Sequence, residues 1–189
     1  MQQRKITFIG AGNMAHAIIA GLISAGYPAN CITACSPTAT NRDLLVKKYG
    51  INGKSDNSEA SKQADVIILA VKPQMMETVC QPLKEQVNFA NKLVLTIAAG
   101  IPAKRYQQYL APNINLVRVM PNTPSLVGQG VSGLYAMDSV SEDDKNFATE
   151  LMASVGKVFW LNNQAAINDI IAVTGSAPAY FFLFMESMQ

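Results

Sequence analysis

Short runs of consecutive apolar residues alternate along the chain with longer stretches in which apolar positions recur every three or four residues. The segments 5–9, 31–35, 66–70, 93–97 and 116–120 have the length and β-branched content of strands, and 51–55 reads as one more. Segments 66–70 and, Thr96 apart, 93–97 are apolar throughout, as central parallel strands covered on both faces must be. Helical periodicity falls between them, over 13–25, 41–49, 73–86 with Pro73 at its first turn, and 101–110. Strands and helices in strict alternation, joined by short loops, predict an α/β fold. The expected form is a Rossmann-type, doubly wound, mostly parallel sheet with right-handed crossovers.

After Met120 the alternation changes. Pro121, Pro124, Gly128, Gly130 and Gly133 concentrate loop chemistry ahead of a strand at 131–136. Ser141 then offers a helix N-cap, with Glu142, Asp143 and Asp144 placing acid in the first turn, and 157–161 reads as a last strand. Beyond it lie only helical patterns, at 165–173 and 178–188. The second carries Tyr180, Phe181, Phe182, Leu183, Phe184 and Met185 and needs cover on most sides. The pattern therefore implies a missing C-terminal region, a partner chain, or both. Residues 1–162 read as one domain and 163–189 as the beginning of an all-helical second one.

Neither apolar tract reads as a membrane segment. The stretch 170–185 is interrupted by Gly175 and Pro178 and is shorter than the roughly 18–20 residues of a spanning helix. At the N-terminus, Asn13, His16 and the paired Gly10 and Gly12 interrupt 6–25, which suits a strand, turn and helix better than a signal peptide. The expected location is the cytoplasm.

The composition of the 189 residues narrows the partner. With 15 Lys+Arg against 13 Asp+Glu, the net charge of +2 cannot supply the many phosphate contacts of a nucleic-acid-coating protein. A small molecule is the expected ligand. Cys31, Cys35 and Cys80 form no CxxC pair and have no neighbouring histidine, so neither a zinc site nor a disulfide framework is expected.

The first strand runs directly into Gly10-Ala11-Gly12-Asn13-Met14-Ala15, a GxGxxA fingerprint that opens the first helix. Gly10 suits the tight turn, Gly12 lets a pyrophosphate approach the backbone, and Ala15 permits close helix–strand packing. The free N–H groups of the helix start face the anion. A ligand-free glycine turn is the alternative. At the end of the second strand, where an acid would accept from a ribose 2′-hydroxyl, the chain reads Cys35-Ser36-Pro37-Thr38. Ser36 and Thr38 can donate to a 2′-phosphate and Arg42 lies one turn further on, which favours NADPH, with NADH the alternative. An ordinary turn beside a solvated Arg42 is the plainer reading. Three more loops at strand ends are candidates for lining the cofactor: Asp56-Asn57, Ala70-Val71-Lys72-Pro73 and Ala98-Ala99-Gly100. Lys72 either contacts a ribose or a substrate carboxylate, or is simply solvated.

The single histidine, His16, lies on the first helix, which excludes it as the centre of a carbonyl reduction and makes it a packing or surface residue. A protonated imine needs no further proton donor when it accepts hydride. Such a substrate suits a site poor in acids and bases.

With these segments in family order, the chain resembles the pyrroline-5-carboxylate reductases. The resemblance is carried by the fingerprint, Leu69-Ala70-Val71-Lys72-Pro73-Gln74, Ala98-Ala99-Gly100, Arg118-Val119-Met120-Pro121-Asn122-Thr123-Pro124, Gly130-Val131-Ser132-Gly133 and Gly175-Ser176-Ala177-Pro178-Ala179-Tyr180. It implies an NADPH-binding domain followed by helices that interlock in a homodimer or higher oligomer, and reduction of 1-pyrroline-5-carboxylate to L-proline. It implies further that the cofactor is lined by Ile9, Gly10, Ala11, Gly12, Asn13 and Met14, by Ser36 and Asn57, by Ala70, Val71, Lys72 and Pro73, and by Ile97, Ala98 and Ala99. Asn122 and Thr123 would lie near the nicotinamide and Ser176 at the entry to the helical domain, all as positioning groups. A structural turn is the alternative for Asn122-Thr123-Pro124. Two departures stand out. Thr174 and Ala177 replace the family's usual Ser and Gly, and the chain ends at Gln189, before the family's Ser-Pro-Gly-Gly segment, so a truncated chain is expected. A β-hydroxyacid dehydrogenase would carry a lysine on the last helix, and 175–189 contains none. A non-catalytic NADP-binding module is the remaining alternative.

Overall fold

A computed structural model describes the backbone of residues 1–189 and every side chain except that of Ser176. The chain alternates β1 (Ile6–Ile9), α1 (Asn13–Ser24), β2 (Ile32–Cys35), α2 (Ala39–Tyr49), β3 (Asn52–Lys54), α3 (Asn57–Lys62), β4 (Val66–Leu69), α4 (Met76–Gln86), β5 (Leu93–Thr96), α5 (Ala103–Tyr109) and β6 (Asn115–Met120). There follow β7 (Gly130–Ala136), α6 (Glu142–Ala153), β8 (Gly156–Trp160) and a final helix, α7 (Ala166–Ser187). The strands form one sheet in the order β3-β2-β1-β4-β5-β6-β7-β8. The reversal of order between β1 and β4 makes their carboxyl ends the switch point at which ligands of open sheets bind.

Strand alternation sorts the core into two layers. Ile6 and Phe8 of β1 pack with Ile18 and Leu22 of α1 and Leu151 of α6, whereas Ile9, Ile67 and Leu69 pack with Leu83 of α4 and Tyr106 of α5. All of these residues are buried. The one polar side chain inside β1, Thr7, donates its hydroxyl to the Ala60 carbonyl at 3.1 Å.

Several expectations are refined. The segment at 73–86 begins with a 3₁₀ turn, Pro73–Met75, before α4 proper. The helix α3 is absent from the periodicity because it is only one and a half turns long, nucleated by Asp56, whose carboxylate accepts from Ser58 N–H at 2.8 Å and Glu59 N–H at 2.9 Å. The proline- and glycine-rich stretch after β6 contains the 3₁₀ helix Thr123–Val127, which packs on α1, and it returns β7 antiparallel to β6. Every other strand pair is parallel.

One expectation is overturned. Gly175 and Pro178 do not break the apolar tract: α7 runs continuously for 22 residues, with Ile171–Ser176 widened to a π-helix between α-helical Ala166–Ile170 and Ala177–Ser187. Widening the turn is one way a helix accommodates a proline whose ring would strike the preceding turn. By length and composition alone α7 could cross a membrane. Its first part is packed on the sheet: Ile167 is buried, and Ile170 lies over Gly133 of β7. From Tyr180 to Met185 every side chain is exposed.

Candidate active site

Four neighbouring strands deliver the site. Beyond their last paired residues the backbone ladder continues: Gly10 N–H donates to Cys35 O at 2.8 Å, Ala70 N–H to Ile9 O at 2.8 Å, and Ile97 N–H to Leu69 O at 3.2 Å. The loops after β1, β2, β4 and β5 are thereby locked side by side, which brings the fingerprint, Ser36, Ala70 to Pro73 and Ile97 to Ala99 to one edge.

Gly10 sits at φ +108°, and a Cβ there would lie 2.5 Å from the Ala70 carbonyl oxygen, so the turn admits no side chain. Gly12 differs in kind. Its backbone is extended and an added Cβ would meet nothing within 4 Å, so the space in front of it is open to a ligand. Gly12 is the N-cap of α1 and supplies no side-chain cap, and the first bond inside the helix is His16 N–H to Gly12 O at 2.9 Å. The N–H groups of Asn13, Met14 and Ala15 thus point outward without helical partners. No acidic residue stands in this first turn, leaving the positive end of the helix for an anion.

At the end of β2, Arg42 reaches back so that Nη1 donates to the Ser36 carbonyl at 3.0 Å, while Nε pairs with Asp43 at 2.8 Å. A cation therefore stands beside Ser36, as a 2′-phosphate site needs. Thr38 is the exposed N-cap of α2, and its side chain caps nothing. Asn57, half-buried on the turn that Asp56 caps, leaves its Oδ1 buried with no partner among the described residues. An orphaned acceptor at this edge fits a ligand that donates there. Lys72 is exposed at the start of its 3₁₀ turn, and its ammonium makes no ion pair among the described residues.

The β5 loop rests on a pair the sequence did not single out. Thr96 Oγ1 lies 2.6 Å from the Tyr106 hydroxyl and accepts from Ala98 N–H at 3.4 Å. Burial pushes the Tyr106 phenol up to about 12, so it keeps its proton and can donate. Beside them Arg118 is only 7% exposed, its Nε has no partner among the described residues, and burial pushes its guanidinium down from the usual arginine range. A charged residue inside the otherwise apolar run of β6 was the signal that could have marked it.

Asn122 is 8% exposed and engaged at both ends, its Oδ1 accepting from Val131 N–H at 2.8 Å and its Nδ2 donating to Thr174 O at 3.1 Å. This gives it the bracing job of a structural turn. Thr123 is exposed at the first position of the 3₁₀ helix on α1, on the fingerprint side of the sheet. The side chain of Ser176 lies outside the described residues. His16 packs, its Nε2 lying 2.8 Å from the Tyr49 hydroxyl beside a cavity of about 530 Å³ between α1 and α2.

A glycine turn, an anion-ready helix start and a cation at the end of β2 define the class, a dinucleotide-binding oxidoreductase domain. Residues 5–100 match the family model described as NADP oxidoreductase coenzyme F420-dependent. More particularly, the chain belongs to the pyrroline-5-carboxylate reductase family. It is 56% identical to the pyrroline-5-carboxylate reductase of Vibrio alginolyticus over 189 residues, which are all of this chain and 69% of that one. Among solved structures it is similar to the reductase of Coxiella burnetii, with a TM-score of 0.94 and 40% identity over 98% of this chain and 69% of that one. The reductase of Plasmodium falciparum with NADP bound gives a TM-score of 0.86 and 28% identity over 99% of this chain and 68% of that one.

Proposed function

We infer that the chain reduces 1-pyrroline-5-carboxylate to L-proline with NADPH, the final step of proline biosynthesis. The observation that carries this reading is the alignment of all 189 residues with a reductase of that name at 56% identity. The site has the matching chemistry: a fingerprint turn open at Gly12 and no carboxylate at the end of β2. When bound, NADPH supplies the hydride. The imine carbon takes that hydride while the nitrogen, already protonated, becomes the neutral ring amine, so two electrons and one solvent proton are consumed in all.

What the protein contributes is binding and orientation. The N–H groups of Asn13 and Met14 hold the pyrophosphate at the open face of Gly12, with Ile9, Gly10 and Ala11 forming the turn below it. Ser36, Thr38 and Arg42 hold the 2′-phosphate. Asn57 meets the adenosine end, and Ala70 to Pro73 with Ile97 to Ala99 line the ribose and nicotinamide. Lys72, from its exposed position, contacts ribose or the substrate carboxylate, and Thr123 faces the nicotinamide end. The cofactor domain spans 1–162 and the helical one begins at 163. Support for a homodimer built through the C-terminal helices comes from the exposed aromatic side chains of α7. The three free cysteines support a cytoplasmic location.

The test is NADPH oxidation by this chain with 1-pyrroline-5-carboxylate, after NADPH binding has been measured directly. Turnover with proline as product is expected. Tight binding without turnover would leave a cofactor-binding module and remove the catalytic reading for this chain.

A further inference from the structure

Pro178 lies inside α7, where it has no N–H to give. In an α-helix the group deprived is the carbonyl four residues earlier, Thr174 O. The helix relaxes into its π-helical segment there, Ala177 N–H reaching five residues back to Ala172 O, and the Thr174 hydroxyl turns to Ile170 O at 2.7 Å. The missing donor comes from another part of the chain. Asn122, at the carboxyl end of β6, supplies its Nδ2 to Thr174 O at 3.1 Å while its Oδ1 accepts from Val131 N–H of β7 at 2.8 Å. A third bond, Ser125 N–H to Asn122 O at 3.1 Å, fixes the backbone of the residue that makes the bridge.

We propose that Asn122 is a positioning residue for the reaction: its amide replaces the donor that Pro178 removes and so pins the π-helical segment to the carboxyl end of β6. The inference deepens the reductase reading and rests on it. Proline and asparagine act as one device. Pro178 frees a carbonyl on the helix, and Asn122 is placed to take it up, so the segment carrying residue 176 is held at one distance from the edge where hydride is transferred. Placement at this level matters to rate more than to affinity.

The test is a pair of substitutions in this chain. Asn122→Asp keeps the acceptor for Val131 N–H and removes the donor toward Thr174 O. Pro178→Ala returns an N–H to the helix. N122D is expected to lower kcat by about tenfold to a hundredfold, the range that small misplacements cost, while the Kd for NADPH stays within about twofold, since only binding contacts shared with the transition state would move it. The primary isotope effect on kcat with deuterated NADPH should rise as chemistry becomes limiting. Hydrogen exchange across 171–177, faster in N122D, should slow again in N122D/P178A, where the returned N–H serves Thr174 O, while kcat stays low because the tie to β6 is still missing.

An unchanged kcat in N122D, or a double variant that regains kcat without the tie to β6, overturns the proposal. If N122D melts below the assay temperature, restoration of the fold by P178A is the expected rescue, and its failure overturns the proposal equally. Absence of turnover in the unsubstituted chain would count against the reductase reading alone, because the exchange experiment still reads the bridge: N122D exchange equal to that of the unsubstituted chain overturns it.

Discussion

Two glycines of the fingerprint, two residues apart, are required for different reasons. At Gly10 the reason lies within the protein: φ is +108° and a Cβ would press on the Ala70 carbonyl at 2.5 Å. At Gly12 an added Cβ would meet no described residue within 4 Å beyond its own chain neighbours, so the reason is the ligand. Gly10→Ala should therefore cost about 1–3 kcal/mol in backbone strain alone, seen as a lower Tm. Gly12→Val should leave the Tm nearly unchanged and abolish NADPH binding, which titration of each variant would separate. At the end of β2, Ser36→Asp places a carboxylate against the 2′-phosphate and should weaken NADPH by roughly tenfold or more with little change for NADH. Equal losses for both would remove Ser36 from the 2′-phosphate site. These residues were legible because their partners are local in sequence: Arg42 meets Ser36 six positions away, within one strand-to-helix turn. Asn122 was legible only as part of a motif. Its partners are Val131 and Thr174, nine and 52 positions away, and no local pattern distinguishes an amide that braces from one that touches a ligand.

Short elements carry the site, and their ends matter more than their lengths. The helix α3 has six residues, too few to stand without its cap. Asp56→Ala should cost about 1 kcal/mol, lower the Tm by about 2–4 °C for a chain of this size, and raise the Kd for NADPH because Asn57 sits on the same turn. A lower Tm with unchanged NADPH affinity would show that Asn57 does not meet the cofactor. Strand existence was legible at every central position, where burial on both faces imposes continuous apolar runs. Strand direction was not. β7 reverses because Pro121 to Gln129 folds back as a 3₁₀ turn on α1, a contact outside the segment itself. The continuity of α7 was equally hidden, since Gly175 and Pro178 are breakers by local rule, while the bond that offsets the proline comes from another element.

At the scale of the molecule, two helical layers seal the sheet so completely that its cysteines record the integrity of the fold. Cys35 and Cys80 are fully buried and Cys31 partly so. Burial pushes the Cys35 thiol up to about 11 and the Cys80 thiol up to about 12. In the unfolded chain both ionise near the free-cysteine value of about 8.5. The unfolded state therefore sheds these protons first, and stability, complete below that value, falls as the pH climbs through about 9 toward 11 and 12. Denaturant midpoints measured from pH 7 to 10 should decline over the upper part of that range; a flat profile would contradict the burial. A thiol reagent at pH 8 should modify Cys31 alone in the native protein and all three cysteines after denaturation. Along the row from Tyr180 to Met185 the sequence pattern and the exposure agree that cover is lacking.

The sequence by itself determined whatever is settled within a few residues of backbone. Apolar period fixed the alternation of strands and helices, the glycine spacing fixed the dinucleotide turn, and the missing carboxylate after β2 fixed the leaning toward a phosphorylated cofactor. Tertiary structure alone decided where orphaned polar groups found partners. Pro178 leaves a carbonyl that Asn122 reaches, and Thr96 and Tyr106 meet beneath the β5 loop. The reason is common to both. Dihedral preference and periodicity act over one turn or one strand, whereas a buried donor or acceptor must be satisfied by whichever group the completed fold brings within about 3 Å.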